Sequence, residues 1–233
     1  IESSSYNDQV IYEPGFLRTG QGKPFSVFTP FKRRWIENFD MSFLDIAKPP
    51  KAKKSFNIKS DISDLNFNKT HSVNLKLWPA GESAAQKNLE NFLQSKANFY
   101  SESRNSPIID GTSRISPYLA LGILSPKRCI LEGLKLNNFE FTSGNKGICK
   151  WIDEIVWREF YRNIMFSFPK VSKNQPFQDY TRSIKWRHSG EELEAFYTGR
   201  TGFPIVDAGI RQMLAEGWMH NRLRMVVAMF FTK

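Results

Sequence analysis

Three short stretches combine residue types at spacings that could do chemistry. Glu154, Trp157, Arg158 and Tyr161 fall at i, i+3, i+4 and i+7, so on a helix they share one face. A carboxylate, an indole, a guanidinium and a phenol on one stripe make an unusual polar-aromatic surface. The plainer alternative is a solvated face carrying an i,i+4 Glu154–Arg158 pair; a Trp left exposed beside such a pair is uncommon, which weakens it. In GWMHNRLRMVVAMF, Asn221, Arg224, Met225 and Ala228 repeat the same spacing, with Arg222 on a neighbouring side. An amide offers a donor and an acceptor together, which suits the edge of a heterocycle, and an arginine suits a phosphate or an anionic ring. A packed helix with incidental polar residues remains the competing reading. Asp110-Gly-Thr-Ser-Arg-Ile-Ser116 is a hydroxyl-rich turn opening onto a helix at Pro117. Backbone N–H groups at a helix start, with hydroxyls beside them, suit a phosphate. Neither a Walker loop nor a Rossmann fingerprint is present, and most such turns are simply caps.

The elements that must position these residues can be read from periodicity. Lys150–Phe168 is expected as a long amphipathic helix, with Trp151, Ile152, Ile155, Val156, Phe160 and Ile164 on its apolar side. ESAAQKNLENFLQSKANFY aligns Ala85, Leu89, Phe92 and Leu93 on one stripe. Ser116-Pro117 and Ser125-Pro126 each predict a Ser cap with Pro in the first turn. Asp207–Glu216 and Trp218–Phe230 predict two more helices, separated by Gly217. VFTPFKRRWIENF predicts a helix from near Pro30, and the run Gln9-Val10-Ile11-Tyr12 before Pro14-Gly15 predicts a strand ending in a turn. One strand and one helix make no domain, so residues 1–45 are expected to be the tail of a sheet. Residues 46–80 are polar and aperiodic, as in a connector, and strand signals are nearly absent after it.

Composition narrows the classes further. With 233 residues, 40% hydrophobic and 14% aromatic, the chain can bury a sizeable core, which excludes disorder. No apolar run approaches the ~18 residues of a membrane span, and the start lacks the basic and apolar regions of a signal peptide. Two cysteines and three scattered histidines exclude a disulfide scaffold and give no metal-ligand spacing, so no metal is expected. Lys and Arg exceed Asp and Glu by 33 to 23, a formal +10. Such an excess suggests nucleic acid or an acidic membrane surface, with a lysine-rich solvated surface as the alternative. Five lysines in Ile46–Ser60, with no acid among them, read as part of the connector.

In this order, DGTSRIS, WIDEIVWREFYR, GRTGFPIVDAGIRQ and GWMHNRLRM resemble the flavin-domain motifs of the photolyase/cryptochrome family, and most of all its class I cyclobutane pyrimidine dimer photolyases. The motifs span about residues 100–233, and VFTPFKRRW resembles the end of that family's N-terminal α/β domain. The fold class this implies is α+β. It comprises a remnant of an N-terminal α/β (Rossmann-like) domain at 1–45, the connector at 46–80, and an all-α FAD-binding domain at 81–233 that is incomplete at its C-terminus. The resemblance implies light-driven repair of UV-damaged DNA, a carbon–carbon lyase reaction. Reduced FAD donates an electron to a flipped-out pyrimidine dimer, the cyclobutane ring splits, and the electron returns.

Carried over by motif position, Tyr100, Thr112, Ser113, Arg114, Ile115, Ser116, Trp151, Glu154, Arg158, Asn221 and Arg224 match flavin-site positions. Glu154 also matches the carboxylate that bonds the thymine edge. Trp157 matches the residue packing on the dimer, and Asn221 and Met225 match cavity residues between flavin and dimer. Arg104 and Arg222 match DNA-backbone contacts, with Tyr161 among the DNA-binding set. Trp186 resembles the surface-terminal Trp of an electron relay. An antenna chromophore, folate or deazaflavin, is compatible with the resemblance and unreadable from these residues. The family pattern implies a monomer in the cytoplasm, at the nucleoid through DNA. It also implies that this chain is an internal fragment, which alone is expected to aggregate or stay molten, inactive and free of flavin. The alternatives are a cryptochrome-type blue-light receptor and, outside the family, a cofactor-free helical nucleic-acid-binding module. A (6-4) photolyase would carry His where Asn221 stands.

Overall fold

The computed structural model describes residue 3, residues 7–46 and residues 76–233. Most of the expected connector, with its lysine cluster and His71, lies outside the described residues. Among the described residues the α-helices run in order as α1 (Phe28–Glu37), α2 (Glu82–Ser95), α3 (Tyr100–Ser103), α4 (Ser116–Ala120), α5 (Pro126–Leu136), α6 (Lys146–Ser167), α7 (Gly190–Tyr197), α8 (Pro204–Glu216) and α9 (Asn221–Thr232). Short 3-10 turns lie at Met41–Leu44, Ala97–Phe99, Pro169–Lys173 and Asp179–Ser183.

The α+β expectation is overturned: no strand or sheet occurs among the described residues, and residues 9–12 form bends instead of the end of a Rossmann-like sheet. Val10, Ile11 and Tyr12 are buried, as the apolar run suggested, but the N–H groups of Ile11 and Tyr12 and the Gln9 carbonyl are satisfied by side chains and not by a ladder. The N–H groups of Ile11 and Tyr12 donate to the Glu159 carboxylate at 2.7 and 3.1 Å. Arg158 donates to the Gln9 carbonyl and, at 2.7 Å, to its side-chain oxygen. Gly15 N–H donates to Asn163 Oδ1 at 2.9 Å. One face of α6 thus takes the place of a neighbouring strand.

α6 is the axis of the fold. Asn145 caps it by accepting from the N–H groups of Gly147 and Ile148. Its buried side, from Ile148 through Trp151, Ile155 and Val156 to Phe160, packs on Phe31 and Trp35 of α1, Leu89 and Phe92 of α2, and Ile130 and Leu134 of α5. Residues 11–44 therefore share one core with residues 85–160. Burying a side chain such as Phe31 contributes about 1.5–3 kcal/mol. Gly147 permits the approach of α6 to the preceding 3-10 turn, where a Cβ would lie 2.3 Å from the Ala97 carbonyl oxygen.

A second, smaller cluster joins α8 and α9 through Val206, Ile210, Met219, Leu223 and Val227. α8 ends at Gly217, left-handed at φ 67°, as the sequence suggests. Ser125 caps α5 as expected, but Ser116 does not cap α4: it is the first helical residue, and Ile115 stands at the cap position with no side-chain bond. Residues 78 and 79 are tied down, with Trp78 Nε1 donating to the Glu216 carbonyl at 2.7 Å and Tyr118 donating to the Pro79 carbonyl at 3.0 Å.

Candidate functional site

The outer stripe of α6 divides. Glu154 pairs with Arg104, whose guanidinium is buried and also lies over the Tyr100 ring at 5.4 Å. Burial, with Glu154 close by, pushes the Tyr100 phenol up to about 12 despite Arg104 and Arg222. Trp157 is half-buried, stacked face to face on Phe28 at 3.7 Å and 10°, with Tyr161 stacked beside it at 5.6 Å. Tyr161 is exposed. Arg158 departs from the expected face: its donors are committed to Gln9 and to the Leu119 carbonyl at 3.0 Å, so the i,i+4 pair with Glu154 does not form.

α9 contributes a second wall. Its cap is His220, whose Nδ1 accepts from Arg222 N–H at 3.2 Å and whose own N–H donates to Gln212 Oε1 at 3.1 Å. Because Nδ1 accepts, the neutral ring carries its proton on Nε2. His220 is buried, and burial first, then the charges of Arg222, Arg104 and Arg114, hold its pKa below the ordinary value. Arg222 reaches across to Asn105 Oδ1 with two bonds of 3.0 and 2.7 Å, joining α9 to the end of α3. Asn221 and Met225 are exposed, and Arg224 Nε donates to the Met219 carbonyl at 3.0 Å. Arg104 and Asn105 are sequence neighbours, so Glu154 and Arg222 converge on one corner.

The turn before α4 forms a third wall. Arg114 holds a left-handed backbone, φ 49°, uncommon for a residue with a side chain. Gly111 permits the close return of the turn, since a Cβ there would meet the Ser103 side chain at 2.4 Å. Asn88 Nδ2 donates to the Ser113 carbonyl, and buried Trp151 donates through Nε1 to Ser113 Oγ at 3.3 Å. A cleft of about 320 Å³ lies between α2 and this turn, lined by Asn88, Asn91, Lys96, Thr112, Ser113 and Arg114 among others. Ile115 is buried beneath it and Ser116 is exposed. α4 has only five residues, so the expected helix-start dipole is slight and the donors come from side chains instead.

Among the described residues, two buried donors have no hydrogen-bond acceptor: Arg114 Nε and His220 Nε2. Asp110 Oδ1 stands 3.5 Å from Arg114 Nε, too long for a good bond, and the Arg114 guanidinium lies 4.7 Å over Trp218, whose edge meets the His220 ring. Arg114, which carries one of these orphan donors, lines the cleft beside Thr112 and Ser113, and such a donor fits an acceptor-rich, anionic ligand such as a flavin dinucleotide. Trp186 lies apart on an extended stretch, 56% exposed. Among the described residues, no group of three or more His, Cys, Asp or Glu could hold a metal, and no helix is long and apolar enough to cross a membrane. Sequence reasoning missed Asn88, Asn105, Phe28 and His220; only His220 gave a signal, standing just before a helix that follows a Gly217 stop.

Residues 151–233 match the family described as the FAD binding domain of DNA photolyase. The chain is 38% identical to the deoxyribodipyrimidine photo-lyase of Escherichia coli, over all of this chain and 49% of that protein. It is 37% identical to that of Neurospora crassa, over 97% of this chain and 39% of the relative. A bacterial class III photolyase from Agrobacterium tumefaciens superposes with a TM-score of 0.85 at 34% identity, over 97% of this chain and 47% of that one. A Synechocystis cryptochrome does so at 0.73 and 25%, over 98% and 48%. The chain thus spans about half the length of the bacterial relatives it matches, and less of the fungal one.

Proposed function

The chain belongs to the photolyase/cryptochrome family, and from that premise we propose that it carries the lesion-facing and flavin-facing walls of an enzyme that repairs cyclobutane pyrimidine dimers in UV-damaged DNA. The observation that supports this best is the corner at the end of α3 where Glu154, paired with Arg104, and Arg222, bonded to Asn105, converge, with Trp157 one turn further along α6 and Asn221 next to Arg222 on α9. Glu154 offers carboxylate oxygens to the N–H edge of a pyrimidine, and Arg104 behind it keeps them charged and aimed. Trp157 offers a flat apolar surface to a base taken out of the stack. Asn221 and Met225 stand on the facing helix, one able to bond a heterocycle edge and the other to fill space against it.

Thr112, Ser113, Arg114, Ile115, Ser116, Tyr100, Trp151, Asn221, Glu154 and Arg224 would hold FAD, with Arg114 Nε and His220 Nε2 as free donors to it. Bound and reduced, a flavin supplies the electron that splits the dimer. Arg158 leaves this set, since its donors serve Gln9 and Leu119. Arg222 and Tyr161 would contact DNA with the formal +10 charge behind them. Arg104 would act through Glu154 instead of touching phosphate, given its burial. Trp186 would pass electrons from the surface during flavin photoreduction. The protein would work as a monomer on intracellular DNA.

Trp157→Ala in the protein containing this chain tests the reading. Its affinity for dimer-containing duplex should fall by about 1–3 kcal/mol, the range for one lost stacked base, with flavin content unchanged. Equal affinity of variant and parent for damaged DNA would sink the claim. The likeness to a cryptochrome keeps a second reading, a blue-light receptor without repair. That reading predicts bound flavin and no loss of dimers under blue light.

A further inference from the structure

Trp157 owes its orientation to a helix more than a hundred residues earlier in the chain. Phe28 and Lys32, one turn apart on α1, meet Trp157 and Asp153, one turn apart on α6, in opposite order. The Phe28 ring lies 3.7 Å from the indole and within 10° of parallel, and Lys32 Nζ bonds Asp153 Oδ1 at 2.6 Å. Phe28 is itself held edge-on by Phe160 at 5.9 Å, and Trp35, lower on α1, donates to Glu159 at 3.0 Å. An indole on a helix surface has two free torsions, and a base stacks well on it only when its plane is set beforehand. The Phe28 face sets that plane.

We infer that Phe28 is a positioning residue for lesion recognition, acting through Trp157 without touching the base. This deepens the proposed role of Trp157 and rests on it. It also gives the start of the described chain a part in substrate discrimination that the flavin-domain match at 151–233 does not contain.

The test is a double-mutant cycle in the protein containing this chain, read as dissociation constants for dimer-containing and undamaged duplex. Phe28→Leu and Phe28→Met keep bulk without a π face, and Phe28→Tyr keeps the face. Leu or Met should weaken binding of damaged duplex about 2- to 10-fold, the worth of an aromatic pair, and leave undamaged duplex unchanged. Tyr should restore the parent value. In a Trp157→Ala background, Phe28→Leu should add nothing. The near-ultraviolet circular dichroism band assigned by Trp157→Phe should shrink in the Leu and Met variants and return with Tyr, a readout independent of DNA. Additive losses, equal loss on undamaged duplex, or an unchanged band would overturn the inference while leaving Trp157 as a stacking surface. No effect of Trp157→Ala on damaged duplex would remove both.

Discussion

α6 and the α8–α9 pair both present site residues, yet they are held in different ways. α6 is enclosed by aromatic and aliphatic side chains from α1, α2 and α5, and its one buried carboxylate, Glu159, gathers three N–H donors from residues 11, 12 and 35. The α8–α9 pair rests on five buried apolar residues and leaves Met225, Met229 and Phe231 exposed. Its own carboxylate hub, Asp207, also takes three donors, the N–H and hydroxyl of Thr201 and the N–H of Gly202, but these lie near the surface. The wall that would grip a base is therefore closely packed, and the wall facing it rests on a smaller core, tied to the rest of the chain by polar and cation–π contacts of Arg222 with Asn105, Trp78 with Glu216, and Arg114 with Glu216 and Trp218. On the proposed reading, in which the site admits a flipped nucleotide, it benefits from having one wall of each kind.

The largest effect expected from this contrast is on stability. Glu159→Ala leaves Ile11 N–H, Tyr12 N–H and Trp35 Nε1 without an acceptor, at about 1–3 kcal/mol for each buried donor. Asp207→Ala strands as many donors, but water can replace the carboxylate at Gly202, which is exposed. Chemical denaturation should show a loss of at least about 3 kcal/mol for the first, a large share of a typical 5–15 kcal/mol, and a smaller loss for the second. Equal losses would erase the distinction between the two regions.

Much of this arrangement was legible from periodicity. The stripe Ala85, Leu89, Phe92, Leu93 is buried in full, five of the six residues expected on the α6 apolar side are buried while Ile164 is only partly so, and Gly217 marks a helix end. Failures came where a partner far along the chain decides the outcome. Gln9–Tyr12 has the composition of a strand, and only Glu159 and Arg158, about 150 residues away, show why it needs no neighbouring strand. Arg158 was placed on the site face by helical spacing and among flavin-site positions by motif resemblance, and neither shows which of two borders of a stripe an arginine follows. Phe28 carried no signal, since a lone Phe near a helix start reads as core. The pairing of Arg104 with Glu154 is likewise invisible to any local pattern.

That pairing separates two arginines that sequence resemblance treats alike. Arg222 is anchored to Asn105, at the exposed edge of the corner, and Arg104 is buried against Glu154. Plotting affinity for DNA against salt on logarithmic axes should show a slope flattened by about one unit in Arg222→Ala. Arg104→Ala should leave the slope alone and weaken only damaged duplex, because it releases Glu154. A flattened slope in both variants would return Arg104 to the phosphate-binding set.

The smallest effect concerns the cap of the wall with the smaller core. His220 is neutral in the folded chain, its pKa held below the ordinary 6.5 by burial and three arginines. Above about pH 6.5 neither the folded nor the unfolded ring is charged, and the group costs nothing. As the pH falls below that value the unfolded chain takes up a proton that the folded chain refuses, so stability declines down to the folded pKa. Protonation would also remove Nδ1 as the acceptor for Arg222 N–H, uncapping α9. Glu159 acts in the opposite sense: burial pushes its carboxyl up to about 7 against its N–H donors, so its contribution falls as pH rises from 4.5 through that value. His220→Asn isolates the first effect, because asparagine caps a helix well and does not titrate, while Glu159 is common to both proteins. Melting temperatures of parent and variant should run parallel above pH 7 and diverge below about 6.5, the parent falling faster. Parallel curves across the whole range would mean that His220 is reached by water, and that the second wall is looser than its buried contacts indicate.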